Sequence, residues 1–320
     1  MKNIRLILTS LMLCAALTGC MGTGTPDSPS TASKPQIPER LETGEDGAPI
    51  LAVYDADAGK IERMDLETYV QGVVAGEMKN DWPMEALKTQ AILARTFTLK
   101  FCQDKKSMYD GANISTDVSE AQAYDAASVN DRVKQAVEET RGQVMSWQGE
   151  YPYAWFHAHS GGMTELPSAA LDYKQDDPAY LKPTESMESD KAPDNARQWK
   201  ATFTTDEVKK AAADAGLKIE TVKSVEIGEK ALSGRAKTLL INGDSVSAPS
   251  FRIRIGANRL RSTLIEEISL QDNHVTFSGR GFGHGVGLSQ WGAYEMAEQG
   301  KDAKEIIEHY FKDVEIVKLY

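Results

Sequence analysis

The chain has 320 residues, 41% of them hydrophobic, enough to bury one large core or two modest ones, which excludes an intrinsically disordered protein. Its formal charge of −11 argues against nucleic acid and against anionic lipid or teichoic polymers as general partners. A neutral carbohydrate remains compatible with that charge.

Lys2 and Arg5 precede an apolar run at residues 6–17, which is too short for a stable membrane span and suits a secretory signal. Leu17-Thr18-Gly19-Cys20 resembles a bacterial lipobox. Residues 1–19 are therefore expected to be removed and Cys20 to become a diacylated anchor at the extracytoplasmic face of the cell membrane, more than one acyl chain giving stable attachment. An ordinary cleaved signal with a stray cysteine is the alternative. Loss of Lys2 and Arg5 takes the formal charge from −11 to −13. It also leaves Cys102 as the one side-chain thiol, so neither a disulfide nor a cysteine metal cluster is expected.

Residues 20–48 are rich in Gly, Thr, Ser, Pro and charge, and read as a flexible tether. The folded region, 49–320, is expected to open with a hairpin, strands at 50–54 and 60–64 around a turn at 56–60. Asp65 is a good N-cap for a helix over 66–77, with Tyr69, Val70, Val73 and Val74 on one side. Gly72 and Gly76, four apart, suggest close packing against a neighbour. Pro83 then starts a long helix over 84–102, the expected central helix. After an irregular stretch, a helix is expected at 130–140 and a hairpin from 143–147 and 151–159, turning at Gln148 and Gly149. Its second strand would put Tyr151, Tyr153, Trp155, His157 and His159 on one face. Residues 160–200 read as a long functional loop. Beyond it the pattern predicts a helix capped by Thr205 and strands at 222–227, 236–241, 251–255, 264–270 and 274–279. Residues 279–287 are glycine-rich, Ser289 caps a helix start, helices follow at 294–298 and 303–310, and a strand at 314–319 closes the chain.

Three groups carry chemistry. A carboxylate walled by apolar groups becomes a general acid near neutral pH, and Glu77 has Val73, Val74 and Trp82 close in sequence. Against this, Glu77 also fits a solvated acid at a helix C-terminus. The glycines around His284 lack the G-x-x-x-x-G-K-[ST] pattern, so a nucleotide loop is a weak reading; they suggest a backbone that closely approaches something bulky. His157, His159 and His284 are a candidate metal triad, but hydrogen-bonding histidines beside a sugar site are the favoured reading.

The stretches GVVAGEMKNDWPMEALKTQAILARTF at 72–97, AWFHAHSGGMTE at 154–165, PAYL at 178–181 and GRGFGHGVGLSQWGAYEMAEQG at 279–300 resemble, in order, the signature blocks of the SpoIID/LytB family. The resemblance implies a single α+β domain, with mainly antiparallel sheets packed on a long central helix. Residues 166–250 are a candidate inserted lobe. It implies a peptidoglycan lytic transglycosylase acting on denuded glycan strands in wall remodelling or sporulation, with Glu77 as catalyst. His157, Ser160, Gly161, Gly162, Thr164, His284, Ser289 and Gln290 would line the glycan cleft, with Tyr153 and Trp155 as a candidate sugar-stacking face. Some members carry Cys and His zinc ligands after the long helix, where this chain has Ser115, Glu120 and Ala121. No metal and no cofactor are therefore expected. Two other readings stay open: a non-catalytic glycan-binding enhancer of a partner wall amidase, and a metallohydrolase using His157, His159 and His284.

Overall fold

The computed structural model describes residues 34–320, and both the expected signal segment and Cys20 lie outside the described residues. The segment 34–48, expected as tether, is packed against the domain: Leu41 is buried and β1 (Glu42–Thr43) pairs antiparallel with β2 (Pro49–Asp55). Ile37 and Leu41 supply the apolar contacts that a solvated linker lacks. The folded region thus begins about fifteen residues before Pro49.

β2 and β3 (Lys60–Asp65) form the expected hairpin. Its turn is set by the Asp55 carboxylate, which accepts from the amides of Asp57 and Ala58, both at 2.9 Å. Asp65 then caps α1 (Leu66–Glu77) by accepting the Thr68 amide at 3.0 Å, and Tyr69, Val70, Val73 and Val74 are fully buried. Pro83 precedes α2 (Met84–Asp104), whose 21 residues span about 31 Å at 1.5 Å per residue. Residues on nearly every face of α2 are buried, because α1, α3 (Asp131–Glu139) and the C-terminal part of the chain pack around it. The fork between Arg95 on α2 and Glu67 on α1 joins the two helices inside the core.

β4 (Ile114–Ser115) lies parallel beside β2, and β5 (Gln143–Ser146) pairs with the C-terminal strand β14 (Glu315–Lys318). The turn at Gln148 and Gly149 is as expected, both residues having positive φ. The strand expected over 151–159 shrinks to β6 (Phe156–His157). Pro152 has no N–H to give a ladder, and the Tyr153 amide donates to the Tyr180 hydroxyl at 2.7 Å instead of to a strand. Tyr151 turns into the first core, its hydroxyl on the Gln36 carbonyl, away from the face that Tyr153 and Trp155 share.

The short helices α4 (Pro167–Ala170) and α5 (Asp194–Arg197) interrupt the long loop, which ends in a strand, β7 (Gln198–Thr204). Trp199 and Phe203 of β7 face inward, a period-two signal within residues expected to be loop. Thr204, one residue before the expected cap, forms a capping box with Glu207 and starts α6 (Thr205–Asp214). β8 (Val225–Ile227), β9 (Thr238–Ile241) and β10 (Asp244–Ser247) form one antiparallel sheet, and β11 (Ile265–Gln271), β12 (His274–Arg280) and β7 another. Residues 251–255, expected as a strand, lie in a helix, α7 (Ala248–Gly256). The run Phe-Arg-Ile-Arg-Ile alternates like a strand, but Ser247 caps it, Pro249 sits in its first turn, and Phe251, Arg252 and Ile255 are buried at helical spacing while Ile253 points outward.

These elements enclose a second core around Trp199, Phe203, Phe251 and Phe277. The candidate lobe therefore spans about residues 198–280 and not 166–250, since Ala170, Tyr180 and Leu181 pack into a third cluster with the chain's C-terminal part. That part comprises β13 (Leu288–Ser289), α8 (Gln290–Glu298) and α9 (Ala303–Tyr310), with β13 parallel to β6. The fold is α+β, with mainly antiparallel sheets and α2 at its centre.

Candidate functional site

Glu77 is the last residue of α1, where the chain turns extended at Met78. The segment 122–124 lies directly on this end of the helix. A Cβ at Gly76 would stand 2.7 Å from the Ala123 backbone, so glycine there is what lets the two chains touch. The contact brings the Ala123 N–H to Glu77 Oε1 at 2.8 Å, and Gln290, at the start of α8, donates to the Glu77 carbonyl at 3.2 Å. Burial pushes the Glu77 carboxyl above its ordinary value of 4.5; the Ala123 amide and the Gln290 side chain pull the other way without cancelling it. Gly76→Val is expected to force the 122–124 segment off α1. Stability should fall by about 1–3 kcal/mol in denaturant unfolding, and the Ala123 amide, no longer held by Glu77 Oε1, should shift in NMR spectra.

The Glu77 carboxyl opens onto a groove of ≈560 Å³, and it is the one carboxylate among the lining residues. His157, His284 and Gln290 line the same groove, with Phe97 from α2, Trp155 from the β6 segment, and Asn258 and Phe282 from the second core and the loop after it. His157 Nδ1 gives its proton to the Val286 carbonyl at 3.1 Å. Its Nε2 has no hydrogen-bond partner among the described residues, which leaves a buried acceptor in the groove wall. His284 Nδ1 accepts the Val286 amide at 3.0 Å, which puts its proton on Nε2. The two rings stand 5.6 Å apart between centroids. Burial and the nearby Arg252 and Arg235 guanidiniums depress His284 to about 3, and burial, His284 and Arg235 hold His157 well below 6.5. Both imidazoles are neutral at physiological pH, so Glu77 is the group that titrates in this groove.

The glycine-rich loop fits because its alternate residues take left-handed conformations. Gly283 has φ +109°, and a Cβ there would come within 2.7 Å of the His157 Cβ. The loop therefore presses flat against β6 and aligns His284 with His157.

The other expected cleft residues lie elsewhere. Ser160 and Ser289 are fully buried and turn toward Glu188, whose carboxylate accepts the Ser160 amide at 2.9 Å, the Ser289 hydroxyl at 2.8 Å and the Ser160 hydroxyl. Ser289 also caps α8. Gly161 and Gly162 line a neighbouring cavity of ≈700 Å³ with His159 and Glu188. Thr164 is buried in a reciprocal pair with Thr184. Trp82, expected beside Glu77, packs in the core on Trp291 with ring centroids 4.4 Å apart. Because His159 faces the other cavity, the three histidines do not converge, and among the described residues no cluster of His, Cys, Asp and Glu is arranged to hold a metal ion.

Sequence reasoning missed Ala123, Asn258, Phe282 and Glu188. Ala123 acts through its backbone and left a trace only in the spacing of Gly72 and Gly76; Phe282 lay inside the glycine-rich block without being singled out, and nothing in the sequence marked Asn258 or Glu188.

Residues 54–147 match the family model SpoIID, Stage II sporulation protein, and residues 106–287 match a domain of unknown function, DUF8618. An uncharacterized protein of Brachyspira hyodysenteriae is 32% identical over 80% of this chain and 68% of its own length. Stage II sporulation protein D of Bacillus amyloliquefaciens is 31% identical over 82% of this chain and 77% of that protein. The amidase enhancer of Bacillus subtilis is 29% identical over 76% of this chain but only 39% of its own length. With the groove's Glu77, His157 and His284 all falling in the blocks that resemble that family, and with relatives matched over most of both chains, this protein belongs to the SpoIID family.

Proposed function

We propose that this protein is a lytic transglycosylase that cleaves denuded peptidoglycan glycan strands in wall remodelling or sporulation, held at the extracytoplasmic membrane face by a lipid on Cys20. The observation that carries the reading is a single carboxyl, raised by burial, in a groove whose two histidines are neutral. Protonated Glu77 gives its proton to the oxygen between N-acetylmuramic acid and N-acetylglucosamine as the C1–O bond breaks and an oxocarbenium-like centre forms. The carboxylate then takes the proton of the muramoyl C6 hydroxyl as O6 bonds to C1. Glu77 ends protonated again, and the product carries a 1,6-anhydro ring. A second carboxylate is not needed, in keeping with the groove's lining. His157 Nε2 supplies an acceptor for a sugar hydroxyl.

Residues 34–320 incubated with denuded glycan should yield anhydro-muramoyl ends by mass spectrometry. Ordinary reducing ends would instead indicate attack by water. The relative named amidase enhancer supports a second reading, in which the groove binds glycan without cutting it and a partner wall amidase does the chemistry. That reading gives no new ends of either kind.

A further inference from the structure

The segment that closes on the end of α1 carries a side chain that the fold itself leaves unused. Gln122 is 3% exposed and lines the Glu77 groove, and neither its amide nitrogen nor its amide oxygen has a hydrogen-bond partner. Among the described residues it is the one buried side chain with two such atoms. Its backbone is held on both sides. The Ala121 amide bonds the Asp117 carbonyl at 3.0 Å, and the Ala123 amide bonds Glu77 Oε1 at 2.8 Å. The position is thus fixed while the amide at the end of the side chain is not. A buried donor or acceptor without a partner lowers stability, so a fold selected for stability alone would carry an apolar side chain here. The last torsion of a glutamine is broad, and the amide turns at small cost to meet a group that enters the groove. Phe97, Ala121 and Ala154 line the same groove and make part of its wall apolar.

We propose that Gln122 binds the 2-acetamido group of an amino sugar, and so makes this groove discriminate against strands that have lost their acetyl groups. The assignment rests on the groove being a glycan site. A carboxamide pairs with an acetamido group edge to edge, giving one N–H and accepting another, whereas a hydroxyl, one atom wide, meets only one of the two. The apolar part of the wall takes the acetyl methyl. The acetamido group stands on C2, next to the C1–O bond that the proposed reaction breaks, and Gln122 is next in the chain to Ala123, whose amide holds the acid. One stretch of backbone thereby sets the place of both the acid and the sugar. A deacetylated strand offers an ammonium there, with no carbonyl to accept from the Gln122 amide.

The test measures binding by the full chain carrying Glu77→Gln, which blocks turnover. The probes are two neutral β-1,4 hexasaccharides, one of N-acetylglucosamine and one of glucose, which differ at C2 alone. The Glu77→Gln protein is expected to bind the acetylated sugar roughly 10–100-fold more tightly, the size of two neutral hydrogen bonds. Adding Gln122→Met, which removes the amide at similar volume, should bring that affinity down to the level of the glucose sugar and leave the latter unchanged. Its thermal midpoint should be no lower, since an unpartnered amide has left the protein interior. Equal affinity of the Glu77→Gln protein for the two sugars overturns the proposal, as does a loss in Gln122→Met that is the same for both. Should Gln122→Met not fold, the side-chain N–H signals of Gln122 in the Glu77→Gln protein decide. They must shift with the acetylated sugar and not with the other, and any other pattern overturns the proposal. If neither sugar binds, the groove is not a glycan site and the proposed function falls with this assignment. If the preference stands but anhydro ends never form, the catalytic reading fails and this one survives.

Discussion

Glu77→Gln is expected to slow release of anhydro-muramoyl ends by roughly 10²–10⁴-fold, toward the upper end because one carboxyl serves both proton transfers. Glutamine keeps the shape and can still face the Ala123 amide and Gln290, so the groove should survive while the transferable proton is lost. Activity should also fall as pH rises through the raised pKa of Glu77, since the first step needs the protonated acid. The linkage runs the same way for stability. A carboxyl whose folded pKa lies above its unfolded value binds more protons in the native state, so the native state loses stability as pH rises from about 4.5 through the folded pKa. Glu77→Gln should therefore be more stable than the parent at neutral pH, with the gap closing below about pH 4.5. Thermal unfolding across that range measures it. An inactive variant that is also the more stable one is the mark of a strained functional group; unchanged turnover would turn the balance to the amidase-enhancer reading.

The parts of this site legible in the sequence are those whose signal is local. Asp65, the apolar face of α1 and the Pro83 start of α2 fix where Glu77 comes, because capping and helical period act within a few residues. His157 and His284 were visible because they sit in glycine-rich and aromatic surroundings that a plain core would not need. The partners of these residues were not visible. Glu188 is bound by Ser160 and Ser289, 28 and 101 residues away, and only the parallel pairing of β6 with β13 brings those serines together. The face shared by alternate residues over 151–159 failed for a related reason. Strand alternation holds while one ladder runs: Pro152 keeps the first residues out of it, and the partner changes from β13 at Phe156–His157 to Phe282 at His159, with His157 and His159 lining different cavities. Phe-Arg-Ile-Arg-Ile fits two periods at once over five residues, and its caps, Ser247 and Pro249, decided for the helix.

Breaking the buried ion pair behind α1, the helix that carries Glu77, is expected to be the most destabilising single change. The Arg95 side chain is fully buried and that of Glu67 is 5% exposed, and they meet through Nη2–Oε2 at 2.5 Å and Nε–Oε1 at 3.0 Å. Glu67 also accepts the Gly142 amide at 3.2 Å and the Tyr320 hydroxyl at 2.5 Å, while Arg95 donates to the Gln143 carbonyl at 2.8 Å. One pair thus ties α1, α2, the turn before β5 and the last residue of the chain. Arg95→Met leaves Glu67 charged in the core without its counter-ion, at a cost of about 3–5 kcal/mol. Glu67→Leu should cost a similar amount. The double variant should recover much of the loss, because two apolar side chains leave no buried charge unpaired. The exposed pair Arg63–Glu42, with side chains 62% and 70% exposed, is the contrast: Arg63→Ala should cost less than about 1 kcal/mol. Denaturant unfolding of the five proteins gives the coupling directly. Glu67 also lies ten residues before Glu77 on one helix, about 15 Å along its axis. Any tilt of α1 at the pair therefore moves the acid in the groove, and Arg95→Met, studied where it is still folded, should lose activity beyond its loss of folded protein. A single variant that unfolds at the parent's midpoint would show that the pair holds nothing together.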